Sequence, residues 1–512
     1  MQKLSQRIFR ISRWVHKWLG LVGLTCFAWM ALSGILVNHP DWITHFSVPC
    51  SWVGQKNPYK NWNRSTLRNM LFSAEIPLHG FAYGCAGIWQ TSDGGRTFSP
   101  YMEGLPPSVV FRNVHCLEWN QSAGRLFAGT GAGIFTRDLN GTGWEECDLN
   151  GSREPIKNVL NFENSLIAIS DSRFYLAKNA PPFRFKEIKV IPPDIQRHNE
   201  TDPATLILAL HSGSIVGLPG RLFVDLAGLI LLFLSVSAIY LWYFPGHVRQ
   251  SVKREKRVSG KKGKAALYAF FHKYHKKLGI WVAAPLLIIS TTGFLFFLPF
   301  PAWQLALASS LNFNPKDILD TNPWKGKIEK ALYNPNTKKI MILTRDGLVE
   351  WDGNPENSCT KASLKLPERV KEASVFQYIH EDKNYLIGSF SGLYKINPAT
   401  GRLIHCLDAA GRRITKVCGY LRRPNEDEYY CHHEKGIKPF GNYDRSPEPI
   451  AMPKSIMKNP RVSLWYFCFE LHSGHVFKPL LGKNDWLLAF VGGLFLALVG
   501  ITGIYDWFYR KL

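Results

Sequence analysis

The 512-residue chain is 46% hydrophobic and 20% charged, and its 62 Lys and Arg against 39 Asp and Glu give a formal net charge of +23 at pH 7. That length exceeds what one core organises, so several units are expected. The excess charge flanks apolar runs instead of forming a folded binding face, which argues against a nucleic-acid partner.

In chain order, residues 1–17 carry Lys3, Arg7, Arg10, Arg13 and Lys17 with no acid. The charge-free run Trp18–Val37 follows, long enough at 1.5 Å per residue to span a bilayer. No small-x-small cleavage site follows it in Gly34-Ile-Leu-Val-Asn-His-Pro40, so this first span is expected to be retained. Three more runs qualify or nearly so: Leu226–Phe244, Leu278–Trp303, where Pro285 predicts a kink or local unwinding, and Trp486–Tyr505. Residues 245–279 hold eleven Lys and Arg against Glu255 alone, and Arg510 and Lys511 follow the last run. These flanks account for 17 of the 23 net charges, and the positive-inside rule puts them all in the cytoplasm. Contact of the Lys/Arg run at 253–264 with anionic lipid fits the same placement.

The expected plan is a bacterial inner-membrane protein with both termini inside. Residues 1–38 form the N-terminus and first span, 39–218 a periplasmic β region, 219–245 the second span and 246–277 a basic cytoplasmic loop. Residues 278–303 form the third span, 304–484 a second periplasmic β region, and 485–512 the last span with the C-terminus. Of ten cysteines, Cys26 lies in a span and nine in the exported regions, where disulfides are permitted. Cys418 and Cys431, bracketing a possible hairpin, are the expected pair.

The chain repeats itself. His16-Lys-Trp-Leu-Gly20 opens the first span and His275-Lys-Lys-Leu-Gly279 the third, with Ser33-Gly34 and Thr292-Gly293 at the same distance downstream. Leu210-His-Ser-Gly213 precedes the second span and Leu471-His-Ser-Gly474 the fourth. These spans end in Ser235-Val-Ser-Ala-Ile-Tyr-Leu-Trp242 and Gly500-Ile-Thr-Gly-Ile-Tyr-Asp-Trp507. Two pseudo-symmetric halves of a four-helix bundle are expected, with small residues allowing close approach of helices or of a flat cofactor.

A shorter repeat runs through the exported regions. A strand followed by Gly and an aliphatic residue recurs at Gly87-Ile88, Gly133-Ile134, Gly347-Leu348, Gly392-Leu393 and Gly436-Ile437, with a degenerate copy at Arg173-Phe174. The steps of 46, 40, 45 and 44 residues within each region have the period of a propeller blade. Three units per region suggest one six-bladed propeller built from both, because half a ring would leave long open strand edges, the alternative being two separate small β domains. Thr91-Ser-Asp93-Gly-Gly95-Arg-Thr97-Phe98 resembles the Asp-box turn of sialidase-like repeats, in which a carboxylate caps a tight turn. No acid pair or arginine cluster accompanies it, so a glycosidase is not expected.

A histidine at the mouth of a span can be a plain interfacial anchor. Four at equivalent places of a repeat are instead what two bis-histidine haems need, an imidazole on each side of a flat ring. His16 with His275 and His211 with His472 are the expected pairs. His272, His39 and His475 stand close enough in sequence to replace an assigned ligand, while His432 and His433 read as surface residues.

The His-x-x-Leu-Gly and Leu-His-Ser-Gly motifs, each occurring twice in order, resemble the PepSY-associated transmembrane family. That family includes iron-regulated inner-membrane proteins and haem-containing ferric-siderophore reductases. The resemblance covers the four spans and their flanks, about 140 residues, and the exported regions depart from the family's small αβ domain. It implies His16, His275, His211 and His472 as ligands of two haems b. It also implies a membrane oxidoreductase that reduces a ferric siderophore or other ferric chelate. The cytoplasmic loop has no Gly-x-Gly-x-x-Gly unit, so the electron donor is expected to be quinol or a separate reductase. The competing expectation is a non-redox, membrane-anchored propeller acting as sensor or scaffold, with structural histidines.

Overall fold

The computed structural model describes residues 2–54, 58–121, 123–193, 203–253, 261–295, 322–362, 364, 366, 373–441 and 447–509. The chain divides into two compact units: residues 1–55, 199–319 and 463–512 form a helical one, and residues 56–198 and 320–462 a β-rich one.

In the helical unit four long helices follow the apolar runs: α1 (Gln2–Asn38), α3 (Gly217–Lys253), α4 (Lys261–Leu295) and α6 (Trp486–Tyr509). All four are long and apolar enough to cross a membrane. Helix α4 is continuous through Pro285, which leaves the kink alternative of the expectation and not the unwinding one, and α3 is likewise continuous through Pro245. The last residues of the expected third span, 296–303, lie outside the described residues.

Helix α1 packs on α3 and α6, and α4 on the same two, which closes a four-helix ring. Phe27, Ala31, Ala227, Leu231, Val282 and Leu286 fill part of its interior. Small residues set the approach: a Cβ on Gly228 would stand 3.2 Å from Ile35, and one on Gly493 3.2 Å from Phe294. Leu222, Phe223, Val236, Ile239 and Trp281 are exposed although apolar, as faces turned to lipid are.

Two short helices, α2 (Pro203–Ser212) and α5 (Leu464–His472), precede α3 and α6. Ser463 caps α5 by accepting the N–H of Tyr466 at 3.1 Å. The Leu-His-Ser-Gly motif ends both helices. Gly213 (φ 74°) and Gly474 (φ 82°) take the left-handed conformation that stops a helix, leaving each histidine in a last turn.

Among the described residues, the β-rich unit holds six antiparallel sheets in chain order, five of four strands and a last one of three, each pairing consecutive strands. Their first strands are β1 (Asn69–Phe72), β2 (Val114–Asn120), β3 (Asn158–Phe162), β4 (Ile328–Asn334), β5 (Val375–Ile379) and β6 (Val417–Arg422). Each sheet packs on the next, and the sixth returns to the first, where the N–H of Tyr420 donates to the carbonyl of Arg68 at 3.0 Å. A separate apolar core fills each junction. Phe81 and Leu126 share the first, Trp351 and Phe174 the third, and Trp89 and Leu421 the one that joins the last sheet to the first.

The repeated glycines turn the chain between second and third strands. Gly87, Gly133, Gly347 and Gly436 all have positive φ, which a side chain would strain. In the first sheet the Asp93 carboxylate accepts the N–H groups of Arg96 and Thr97, each at 2.9 Å, and the Thr97 hydroxyl at 2.6 Å, the turn-capping role expected of it. The expected Cys418–Cys431 disulfide is absent. The two are neighbours but free thiols, and Cys418 Sγ donates to the Cys431 carbonyl at 3.3 Å.

Candidate functional site

The four repeated histidines come together in two pairs near opposite ends of the four-helix bundle. His16 Nδ1 lies 3.0 Å from the carbonyl of Val499 on α6 and 3.4 Å from Thr502 Oγ1. His275 Nδ1, the repeat equivalent, lies 2.7 Å from Ser237 Oγ on α3. At the other end, His211 Nδ1 is 2.9 Å from the carbonyl of Ile289 and 3.2 Å from Thr292 Oγ1, both on α4. His472 Nδ1 is 3.0 Å from the carbonyl of Met30 and 3.1 Å from Ser33 Oγ, both on α1. Each of the four histidines therefore leans on a helix of the other half. The two levels are 17 residues apart along α1, about 26 Å at the rise of an α-helix.

These partners decide the tautomers. A carbonyl only accepts, so Nδ1 of His16, His211 and His472 must carry the proton. At His275 the hydroxyl of Ser237 takes the place of the carbonyl. Ser237 donates its hydroxyl to the carbonyl of Leu234 at 2.9 Å, leaving its oxygen to accept from Nδ1. In all four rings the remaining nitrogen, Nε2, keeps its lone pair and has no hydrogen-bond partner among the described residues. The rings are half-buried, not sealed.

Glycines make the room. A Cβ on Gly34 would stand 3.1 Å from His472 Cε1, on Gly293 3.0 Å from His211 Cε1, and on Gly503 3.1 Å from His16 Cε1. The glycines of His-x-x-Leu-Gly do something else. Gly20, one turn from His16 on the same face, has nothing within 4 Å of its Cβ position, and Gly279, one turn from His275, meets only Leu234 at 4.0 Å. The rings of His211 and His472 face one another with centroids 5.9 Å apart and planes at 64°. His16 and His275 lie within electrostatic reach of each other.

The three alternative histidines have other partners. His39 Nε2 is 2.6 Å from Asp225 Oδ2 and its ring stacks on Trp42, while His475 Nδ1 is 2.9 Å from Asp485 Oδ2. His272 stacks on Tyr268. Asp225 and Asp485 each stand thirteen or fourteen residues after the repeated His211 and His472. That spacing is the sequence signal that ties both acids to the repeat. No group of three or more metal-binding side chains occurs among the described residues.

Among known families, the one described as PepSY-associated TM region matches residues 171–510, and the chain belongs to it. The match takes in His211, His275 and His472. No curated protein matches the chain. Among solved structures, the extracellular domain of BT4673 from B. thetaiotaomicron, a candidate hybrid two-component system, is similar with a TM-score of 0.37 at 9% identity, over 79% of this chain and 41% of that one. The corresponding domain of BT3049 has a TM-score of 0.35 at 8% identity, over 76% and 36%. YCF48 from Cyanidioschyzon merolae has a TM-score of 0.22 at 16% identity, over 26% and 42%. The chain thus spans less than half the length of each.

Proposed function

We propose that this member of the PepSY-associated TM family binds two haems b, one between His16 and His275 and one between His211 and His472, and carries electrons across the membrane to a ferric chelate. The observation that carries this reading is the shared tautomer: four equivalent imidazoles, each held through Nδ1, each presenting a bare Nε2.

The residues fit the group. His211 and His472, with ring centroids 5.9 Å apart, would hold one haem, and His16 with His275 the other. The open face beside Gly20 and Gly279 gives a flat macrocycle room that any side chain would take. When bound, haem supplies a one-electron couple whose potential depends on its ligands and burial. The chain's part is to hold neutral rings in one orientation. Hydrogen bonds to Nδ1 make Nε2 a stronger ligand, and their origin in the opposite half ties ligand position to bundle assembly.

The acceptor takes one electron per ferric ion, and the Fe(II) formed is held more weakly by hard oxygen ligands, which frees it for uptake. A ferric siderophore is the substrate class that the family resemblance favours. The donor in this reading is membrane quinol or a separate reductase, and the basic flanks support a topology with both chain termini in the cytoplasm and the β-rich unit in the periplasm. We read the six sheets as blades of one six-bladed propeller, supported by the six apolar junctions and the return of the last sheet to the first.

A reduced-minus-oxidised spectrum of the detergent-purified chain tests the reading. Haem b bands that a ferric siderophore reoxidises are expected. Absence of the bands overturns it and leaves the membrane-anchored sensor or scaffold in its place.

A further inference from the structure

Three of the six first strands, those of every second sheet, shift register at one level: between Val114 and Cys116, Ile328 and Lys330, and Val417 and Gly419. Such bulges re-aim side chains out of the regular alternation. Beside two of them, cations from three sheets meet. Arg68 Nη1 donates to the Val114 carbonyl at 2.5 Å and to Asn113 Oδ1 at 2.9 Å, and Lys330 Nζ donates to the next carbonyl, that of His115, at 3.2 Å. Lys157 Nζ donates to the carbonyl of Ile328 at 2.6 Å. Lys330 belongs to the fourth sheet and His115 to the second, so its ammonium reaches past the third, across the middle of the ring.

Nearby acids do little to neutralise this cluster. Glu329 is turned to Arg345 at 2.8 Å. Burial pushes the Glu118 carboxyl up to about 7 against the hydrogen bonds it accepts from Asn161, so it carries only part of a charge at neutral pH. Burial, then Arg68, Lys330 and Lys157, pushes the His115 imidazole well below its ordinary value, leaving a neutral ring that donates one N–H. Arg68, His115, Lys157 and Lys330 are all half-buried, so they line internal space rather than solid core.

We infer that Arg68, His115, Lys157 and Lys330 form a binding site for a small multivalent oxyanion, phosphate or polycarboxylate, at the centre of the β-rich unit. Charged donors on three sheets around a neutral N–H donor match several oxygens of one anion at once. The site uses the cyclic order of the sheets and not the haem reading, so anion binding and haem spectrum fail independently.

Titration calorimetry of the full chain in detergent, with inorganic phosphate, sulfate and citrate as separate probes, tests it. Saturable binding of at least one is expected, with the preferred probe separating phosphate from carboxylate chemistry. Lys330→Met and Arg68→Met should each weaken it by about tenfold or more, and Arg96→Gln, which removes only an exposed ion pair with Glu448, should not. Lys157→Met serves where either variant lowers the melting temperature. No saturable heat from any probe, or equal affinity in wild type and a folded cluster variant, overturns the site.

Discussion

In the helical unit the repeat preserves side chains: His16 and His275, His211 and His472, Ser33 and Thr292, Ser237 and Thr502 occupy matching places and make matching hydrogen bonds. The β-rich unit repeats just as regularly, yet what it preserves is a spacing and a turn conformation. Gly87, Gly133 and Gly347 recur, while the side chains of the first strands change from sheet to sheet. A repeated side chain points to a ligand needed twice, whereas a repeated backbone turn points to architecture, with function left to the places where the copies differ. Arg68, His115, Lys157 and Lys330 are such a place.

The largest expected effect falls on the side-chain repeat. His472→Ala or His211→Ala should abolish one haem of two and spare the other, read as half the haem per chain and a simplified redox titration. His39→Gln and His475→Gln should keep both, because those rings face Asp225 and Asp485. Equal haem content in all four variants would erase the distinction between repeated and unrepeated histidines. On the architectural side, Trp351→Ala should cost about 3–5 kcal/mol. Its ring is 1% exposed and packs edge-on against Phe174 at 5.7 Å in the junction of the third and fourth sheets. Unfolding of the β-rich unit should move and the haem spectrum should not.

The two units were legible in the sequence to different depths. The pairs His16/His275 and His211/His472 follow from the matched spacings, because a helix converts residue number into height. What spacing could not supply was the backbone: the carbonyls of Val499, Ile289 and Met30 that set the tautomers belong to residues with no polar side chain. In the β-rich unit the Gly-aliphatic step located the turns and so the number of sheets. It was silent on the first strands, where bulges at His115, Glu329 and Cys418 break the period-two alternation that a sequence reading relies on. The cysteine reading failed for a related reason. Cys418 is the extra residue of a bulge, Gly419 takes its place opposite Cys431, and Cys418 Sγ meets a carbonyl.

Smaller effects separate buried strand from turn. Glu118, held up to about 7 by burial, binds its proton in the folded chain where the unfolded carboxyl has already lost it. Stability should therefore fall as pH rises from about 4.3 to about 7, and level off above. Glu118→Gln keeps a hydrogen-bonding group of the same shape and should flatten that slope. A slope unchanged by the substitution would show that Glu118 is not its source.

Asp93 has the opposite sign and the smallest effect. Burial pushes its carboxyl up, but the hydrogen bonds from Thr97, Thr91 and Arg96 outweigh that and bring it down to about 2. An acid whose folded value is depressed adds stability that is complete above the unfolded carboxylate value, about 3.9, and lost as pH falls from there through about 2. Asp93→Ala should cost about 1 kcal/mol at pH 7, the net worth of a hydrogen-bonded turn. The gap between variant and wild type should narrow steadily in melts taken between pH 4 and pH 2. Because the turn is architectural, anion affinity and haem content should stay where they were. A gap that persists unchanged at low pH would mean that Asp93 acts through its shape and not its charge.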